Sequence, residues 1–354
     1  MSKFVPLKVL KVVKETADAS TVYFAKPSDG SFNYKAGQYL TLKMNVGGES
    51  IRRAYSLCTS PYSDTDMAVT VKRVEGGKAS NFIHTSLQAG DVLEVFPPMG
   101  NFAIVPNPAT ARHLVLIGGG SGITPLMSIL KTILGTEPQS KVSLIYGNRD
   151  ENSIIFKNEL DRLSEAHPDR FRVIHILAQP SSSWIGMTGL PLRHVILGIV
   201  QNLMSADNLP KSYWMCGPVP MMDEAQAAFG FLGIGREVIH REVFTAALPE
   251  ENAEAKAAAE AKRGDYTITV RLDGVEKQVL VKNTQTILEA VIGVGMDPPY
   301  ACQMGVCCTC RALCISGKVE MEEDEGLSDA EMKDGFVLTC QSHPLTSNVV
   351  IEYK

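Results

Sequence analysis

The sequence predicts a chain of three folded parts: a β-rich barrel or sandwich, a parallel-sheet α/β unit and a small mixed α+β unit. Three observations predict it. Residues 1–107 hold short alternating segments separated by Gly, Pro, Asn and Asp, the pattern of regularly spaced strands. Residues 108–247 switch to apolar runs that alternate with helix-like segments, which is how a parallel sheet reads. Residues 265–354 return to alternation and carry six of the eight cysteines.

The chain has 354 residues, enough for two or three domains, and 45% apolar content, enough for ordinary cores. Clustering of the cysteines suits metal binding better than a disulfide framework. Met1 to Leu7 carries no apolar signal core, and no 18-residue apolar run exists, so a cytoplasmic protein without membrane insertion is expected. No basic stripe points to nucleic acid. The charge is uneven. Residues 265–354 hold 14 Asp/Glu against 7 Lys/Arg, whereas the rest hold 25 against 27. An acidic C-terminal unit can be steered toward a basic partner, although the run Glu320 to Glu325 also reads as a solvated loop.

In chain order, the first part reads as strands over Lys8–Val13, Ser20–Phe24, Tyr39–Met44, Met67–Arg73 and Val92–Phe96. Between the third and fourth lies Arg53-Ala54-Tyr55-Ser56-Leu57. The stretch Val71-Lys72-Arg73 then runs through Gly76-Gly77-Lys78-Ala79-Ser80 into a helix expected over Asn81–Leu87. Glycines followed by a small hydroxyl residue at a helix N-terminus can offer backbone N–H groups to a pyrophosphate. Pro97-Pro98-Met99-Gly100-Asn101-Phe102 closes this part. These three patterns in this order resemble the flavin domain of the ferredoxin–NADP reductase family, an antiparallel β-barrel. The resemblance implies FAD as cofactor. It implies that Arg53 pairs with the pyrophosphate, Tyr55 packs on the isoalloxazine ring and Ser56 bonds near flavin N5. Ser80 and its neighbours Gly77, Lys78 and Ala79 would hold the phosphates.

The second part places strands at Leu114–Ile117, Val142–Tyr146, Arg172–Leu177 and Ser212–Met215, and helices at Pro125–Leu134, Ile154–Ala166 and Pro220–Leu232. The first strand runs into Gly118-Gly119-Gly120-Ser121-Gly122-Ile123-Thr124-Pro125. Glycines after a strand and before a helix leave room for a phosphate at the helix N-terminus. Alone, the spacing of Gly120 and Gly122 fits a purely structural turn as well. Tyr146-Gly147-Asn148-Arg149 and Cys216-Gly217-Pro218 end two further strands, where an open α/β sheet binds ligands. In the resembled family these strand ends line the NAD(P)H cleft. That implies Thr124 and Cys216 near the nicotinamide, Arg149 near the adenosine and Phe244 near the flavin. An ordinary buried aromatic is the equal alternative for Phe244.

Residues 248–264 are rich in Ala, Glu and Lys and read as a linker. The third part reads as a hairpin, Tyr266–Leu272 and Lys277–Val281, around Asp273-Gly274, followed by a helix over Thr286–Val294 and a final strand over Val349–Tyr353. Between them, Cys302, Cys307 and Cys310 have C-x4-C-x2-C spacing, and Cys340 follows after a 29-residue gap. That is the ligand pattern of a plant-type [2Fe–2S] cluster. Zinc sites pair two C-x2-C units, and only one exists here. Gly305 is expected to let the backbone approach the sulfides. Cys308 and Cys314 fall off the spacing. The unit is similar to the β-grasp fold of plant-type ferredoxins.

Taken together, the order flavin, pyridine nucleotide, ferredoxin resembles the single-chain reductases of bacterial multicomponent oxygenases. In layout it is similar to the reductase components of phenylacetyl-CoA epoxidase and 3-ketosteroid 9α-hydroxylase systems. The resemblance implies transfer of electrons from NADH or NADPH to FAD, then to [2Fe–2S], then to a terminal oxygenase, desaturase or other metalloenzyme. Separately, a monomer is expected. Reductases for a hybrid-cluster protein or a cytochrome P450, and a non-catalytic redox sensor, share the same motifs. Arg149 and Lys157 suit the 2′-phosphate of NADPH, while Asp150 and Glu151 oppose it.

Overall fold

The computed structural model describes residues 4–244 and 263–353. Apart from Arg263 and Gly264, the linker expected over 248–264 lies outside the described residues.

The first part contains β1 (Val5–Thr16), β2 (Ala19–Phe24), β3 (Tyr39–Val46), β4 (Glu49–Ser56), β5 (Met67–Lys72), α1 (Lys78–Thr85) and β6 (Val92–Met99). The strands form one sheet in the order β4-β3-β6-β1-β2-β5, with every neighbour antiparallel. Alternation buries Val9, Val22, Leu40, Leu42, Val69 and Val95 completely. The sheet curls until Leu57, just beyond β4, pairs with Val69 of β5, which closes the expected barrel. Strand β6 runs on through Pro97 and Pro98, past the expected end at Phe96. Proline cannot donate to a ladder, and the β3–β6 register slips between Tyr39 and Thr41, opposite this pair. Helix α1 starts at Lys78, three residues before the expected Asn81. The Asn81 amide donates back to the carbonyls of Gly77 and Val74, which draws the turn into the helix.

The second part contains β7 (His113–Gly119), α2 (Ile123–Thr136), β8 (Lys141–Asn148), α3 (Lys157–Ala166), β9 (Phe171–Leu177), β10 (Met187–Thr188), α4 (Arg193–Ser205), β11 (Lys211–Gly217), α5 (Val219–Phe231) and β12 (Ile239–Val243). All pairs are parallel, in the order β10-β9-β8-β7-β11-β12. The strand order reverses beside β7, so the crevice lies at the carboxyl ends of β7, β8 and β11. Helix α3 begins at Lys157 rather than Ile154, because Phe156 takes a left-handed φ of 62°. Helix α4 and strand β12 have no counterpart in the sequence-based expectation.

The third part contains β13 (Tyr266–Leu272), β14 (Val275–Val281), α6 (Ile287–Gly293), β15 (Arg311–Ser316), β16 (Val319–Met321), α7 (Asp329–Lys333), β17 (Phe336–Leu338), β18 (Ser342–Pro344) and β19 (Val350–Glu352). The main sheet has the order β14-β13-β19-β15-β17 and is mixed, with β13 and β19 parallel. The β13–β14 turn places Asp273 at φ 51° and Gly274 at φ 80°, the two positive values a type I′ hairpin requires. A reciprocal cap between Thr286 and Glu289 starts α6.

The parts share packing. Tyr39, Ala54 and Met99 of the barrel join Leu288, Ala301, Leu327 and Leu338 of the third part in one apolar cluster around the cysteines. No helix among the described residues is long and apolar enough to cross a membrane.

Candidate functional site

The carboxyl ends of β7 and β11 meet at a glycine turn. Gly118 is the register partner of Cys216. A Cβ on Gly122 would lie 2.0 Å from the Cys216 carbonyl oxygen, and one on Gly119 would lie 2.6 Å from Pro218. Only glycines allow the turn to seat against Cys216-Gly217-Pro218. Gly120, at φ 52°, faces open space, with the Lys72 ammonium 3.9 Å from where a Cβ would stand. The end of barrel strand β5 therefore brings a cation across the cleft to the glycine turn, an arrangement suited to a phosphate. Thr124 is buried and donates to the Ser121 carbonyl at 2.8 Å. Tyr146 is fully buried and donates to the Gly120 carbonyl at 2.9 Å, so its side chain props the turn from beneath. Arg149 is exposed at the mouth and pairs with Asp150 at 2.9 Å, which in turn caps the Ser153 amide. Burial pushes the Cys216 thiol well up, with the Glu242 carboxyl adding to it, so this sulfur stays a neutral thiol.

On the barrel, Arg53 is exposed and donates to the Arg52 carbonyl at 2.7 Å. Burial raises the Tyr55 phenol to about 12, partly offset by the Arg53 charge. Ser56 is buried and pairs in register with Tyr39. Ala54 packs in the apolar seam with the cysteines, while Leu57 and Val71 point into the barrel core. Lys72 lies 3.7 Å from Asp18, and Arg73 donates to Asn81 at 2.9 Å. Gly77 caps α1 with no side chain over the first turn, and Lys78 pairs with Glu49. Ala79 is buried. The Ser80 hydroxyl is committed inward, accepting from the Val74 amide at 3.1 Å, so it pins the turn, and the turn offers its backbone outward. Phe244, just after β12, packs on the core of the second part.

In the third part, loop 302–310 and Cys340 bring four thiols together. Cys302 lies within interaction range of Cys307 and Cys340, and Cys310 within range of Cys340. The Cys302 thiol is pulled well down by the Cys307 and Cys340 thiols and by the Met304 and Val306 amides. The Met304 amide donates to the Cys302 sulfur at 3.3 Å, and the Cys302 amide to the Cys307 sulfur at 3.4 Å. Backbone N–H groups aimed at sulfur are what a [2Fe–2S] cluster needs around its ligands, so the residues present fit that group. Cys308 and Cys314 turn away, toward the Tyr39 hydroxyl at 3.4 Å and the Ser316 carbonyl at 3.3 Å. Gly305 has φ 76°, and a Cβ there would lie 2.6 Å from the Cβ of Glu323. The loop thus needs glycine because of its own conformation and because the Glu323 segment packs close against it.

A cavity of about 240 Å³ lies where the three parts meet, lined by Tyr39, Phe102, His240, Glu242, Cys308 and Glu325 among others. Burial lifts the Glu242 carboxyl to about 8. Sequence reasoning missed Glu242, Tyr39 and Arg52. For Arg52 a signal existed. Successive strand residues face opposite ways, so an Arg-Arg pair on β4 must send one arginine away from the Arg53 face.

These features define an oxidoreductase that joins a flavin barrel, a pyridine-nucleotide sheet and an iron–sulfur unit. Residues 6–104 match the oxidoreductase FAD-binding domain, residues 116–227 the oxidoreductase NAD-binding domain and residues 270–345 the 2Fe-2S iron-sulfur cluster binding domain. The chain is 36% identical to a subunit of 1,2-phenylacetyl-CoA epoxidase from Escherichia coli, over 100% of this chain and 98% of that one. It is 37% identical to the ferredoxin reductase component of 3-ketosteroid-9-alpha-monooxygenase from Rhodococcus rhodochrous, over 99% and 97% of the two chains. Phthalate dioxygenase reductase shares the fold, with TM-score 0.60, 23% identity and coverage of 99% and 98%. The chain belongs to this family of reductase components of oxygenase systems.

Proposed function

We propose that the chain takes a hydride from NADH or NADPH and delivers electrons singly to a partner oxygenase, with a phenylacetyl-CoA epoxidase-type partner favoured. The observation that carries this is the seam itself: the cysteine loop packs on β3 and β4, and β4 carries the Arg53-Ala54-Tyr55-Ser56 stretch. When bound, FAD accepts an electron pair as hydride and releases it in single steps, and the cluster carries one electron at a time.

The residues divide the work. Gly120, Gly122, Gly217 and Pro218 form a floor for the nucleotide, with Thr124 and Cys216 orienting the nicotinamide. Arg149 meets the adenosine end. Arg53, Lys72, Arg73 and the first turn of α1 bind the FAD pyrophosphate. Tyr55 and Phe244 flank the isoalloxazine, with Ser56 beside N5. Cys302, Cys307, Cys310 and Cys340 hold the cluster. Neutral Cys216 positions and does not attack, in keeping with its raised thiol. We assign the parts to residues 1–107, 108–247 and 265–354, in a cytoplasmic monomer.

The test is an anaerobic titration with NADH and, separately, NADPH, followed in the visible region. Loss of both flavin and iron–sulfur absorbance at near-stoichiometric nucleotide is the expected result. Absence of bleaching with either nucleotide would sink the reading.

A further inference from the structure

The contact between the barrel and the cluster loop is built from a small number of side chains that no sequence motif marks. On β4, the Arg52 side chain is only 5% exposed. Its guanidinium pairs with the Asp297 carboxylate and donates to the Pro298 carbonyl at 3.0 Å. The same group lies 4.2 Å from the centroid of the Tyr300 ring and 4.9 Å from that of Phe4. Asp297-Pro298-Pro299-Tyr300 leads directly into Cys302. Arg52 thus holds the entrance of the cluster loop by charge, hydrogen bond and ring face together, which lysine cannot reproduce.

On β3, the Tyr39 hydroxyl donates to the Cys307 carbonyl and lies 3.1 Å from the Thr309 hydroxyl. Thr41 reaches the same Thr309 at 3.3 Å. These contacts hold the middle of the loop. Tyr39 is also the register partner of Ser56. One rung of the ladder therefore joins the residue assigned to flavin N5 to the residue that touches the cluster loop, and adjacent strands stand only about 4.8 Å apart.

We propose that Arg52 and Tyr39 are positioning residues that clamp the cluster loop onto the flavin barrel and set the flavin-to-cluster distance. This rests on the function proposed above. The electron that passes leaves reduced flavin and converts one ferric iron to ferrous. No bond is made or broken, and the clamp residues keep their atoms and protons.

The test uses the full-length holoenzyme with Arg52→Gln, Tyr39→Phe and the surface change Asp297→Asn, which removes the Arg52 counter-ion without touching the core. Hydrogen–deuterium exchange of peptides spanning 297–310 is the first readout. Stopped-flow absorbance, resolving flavin reduction by NADH from cluster reduction by flavin, is the second. Arg52→Gln should raise exchange in 297–302 by roughly 10- to 100-fold, a change of about 1.4 to 2.8 kcal/mol. It should slow cluster reduction while leaving flavin reduction and the cluster's EPR g-values unchanged. Tyr39→Phe should act the same way on 305–310, and Asp297→Asn more weakly than either. Wild-type exchange in both Arg52→Gln and Asp297→Asn would overturn the clamp, as would equal slowing of flavin and cluster reduction. Should Arg52→Gln not fold, Asp297→Asn and Tyr39→Phe decide the matter. If exchange rises as stated but neither chromophore accepts electrons from nucleotide, the functional reading fails and the clamp stands.

Discussion

Gly122→Ala is the sharpest test of how the nucleotide cleft is built. Its backbone is right-handed, at φ −61° and ψ −11°, so alanine meets no conformational strain. The cost is steric alone. A Cβ there would stand 2.0 Å from the Cys216 oxygen, 2.4 Å from its carbonyl carbon and 2.7 Å from the Gly217 nitrogen. All three are backbone atoms of a central strand end, so no rotamer relieves the contact. Restoring ordinary van der Waals distance requires the glycine turn and the end of β11 to part by roughly 1.4 Å, and overpacking on this scale costs about 1–3 kcal/mol. Because Thr124 and Cys216 sit on the two sides of that gap, their spacing changes with it. A misplacement of about 1 Å lowers the rate by on the order of 100-fold. The assay is kcat/KM for NADH with ferricyanide, which draws on the flavin, together with a thermal melt. Gly230→Ala, on an exposed face of α5 with nothing within 4 Å, is the control. It should gain roughly 0.5–1 kcal/mol and keep full activity. A folded Gly122→Ala enzyme with wild-type kcat/KM would refute the idea that this glycine sets the cleft.

Further expectations follow from named groups. Cys340→Ser should abolish the iron–sulfur absorbance while leaving flavin reduction intact; Cys308→Ser, whose sulfur faces Tyr39, should retain the cluster, and iron analysis separates the two. Glu242 has its carboxyl raised to about 8 by burial, so the folded state holds a proton that the unfolded chain releases near 4.5. Stability attributable to this site is therefore complete below about 4.5 and falls as pH rises toward 8, by about 1.4 kcal/mol per unit at most. Melts of wild type and Glu242→Gln between pH 5 and 9 should lie closest at pH 5, diverge steadily as pH rises toward 8 and run parallel above it. Glu137 is fully buried and accepts from Arg112 at 2.6 Å, Ser140 at 2.7 Å and the Asn107 amide at 3.0 Å. Glu137→Ala should cost about 3–5 kcal/mol, read by denaturant unfolding, because it strands the Arg112 charge.

The parts of the fold that were legible in sequence are those whose signal is local. Alternation located five strands of the barrel to within a few residues, and the cysteine spacing pointed to a loop of three thiols completed by Cys340 because ligand geometry restricts spacing. Helix α4 was missed because its N-cap, Leu192, offers no capping side chain and follows directly on Pro191. Strand β12 was missed because its sequence, Ile239-His-Arg-Glu-Val243, is polar, as an edge strand of a parallel sheet can be. Tyr146 and Ser80 lie on the segments that the sequence singles out, yet their side chains hydrogen-bond to turn backbone, at Gly120 and Val74. A motif locates a backbone position and does not say which way the side chain faces. Tyr39 was beyond sequence reasoning for another reason, and for Arg52 strand alternation tells which way the side chain faces but not what it meets. Their partners lie 268 and 246 residues away, and nothing local marks a contact between separately folded units.

The docked loop also has an uncovered corner. With Cys307, Cys308 and Thr309 buried toward β3, Gln303 stands exposed, and Cys302 and Met304 are partly so. A carrier covered on the side where it is filled and bare on the opposite side behaves as a fixed relay station rather than a swinging arm. It can be filled and emptied without letting go. Delivery then follows how often an acceptor meets that corner, and so its concentration and the ionic strength, with the acidic run Glu323 to Glu325 beside the loop favouring acceptors that bring positive charge. On this reading, turnover would not require the third part to leave the barrel.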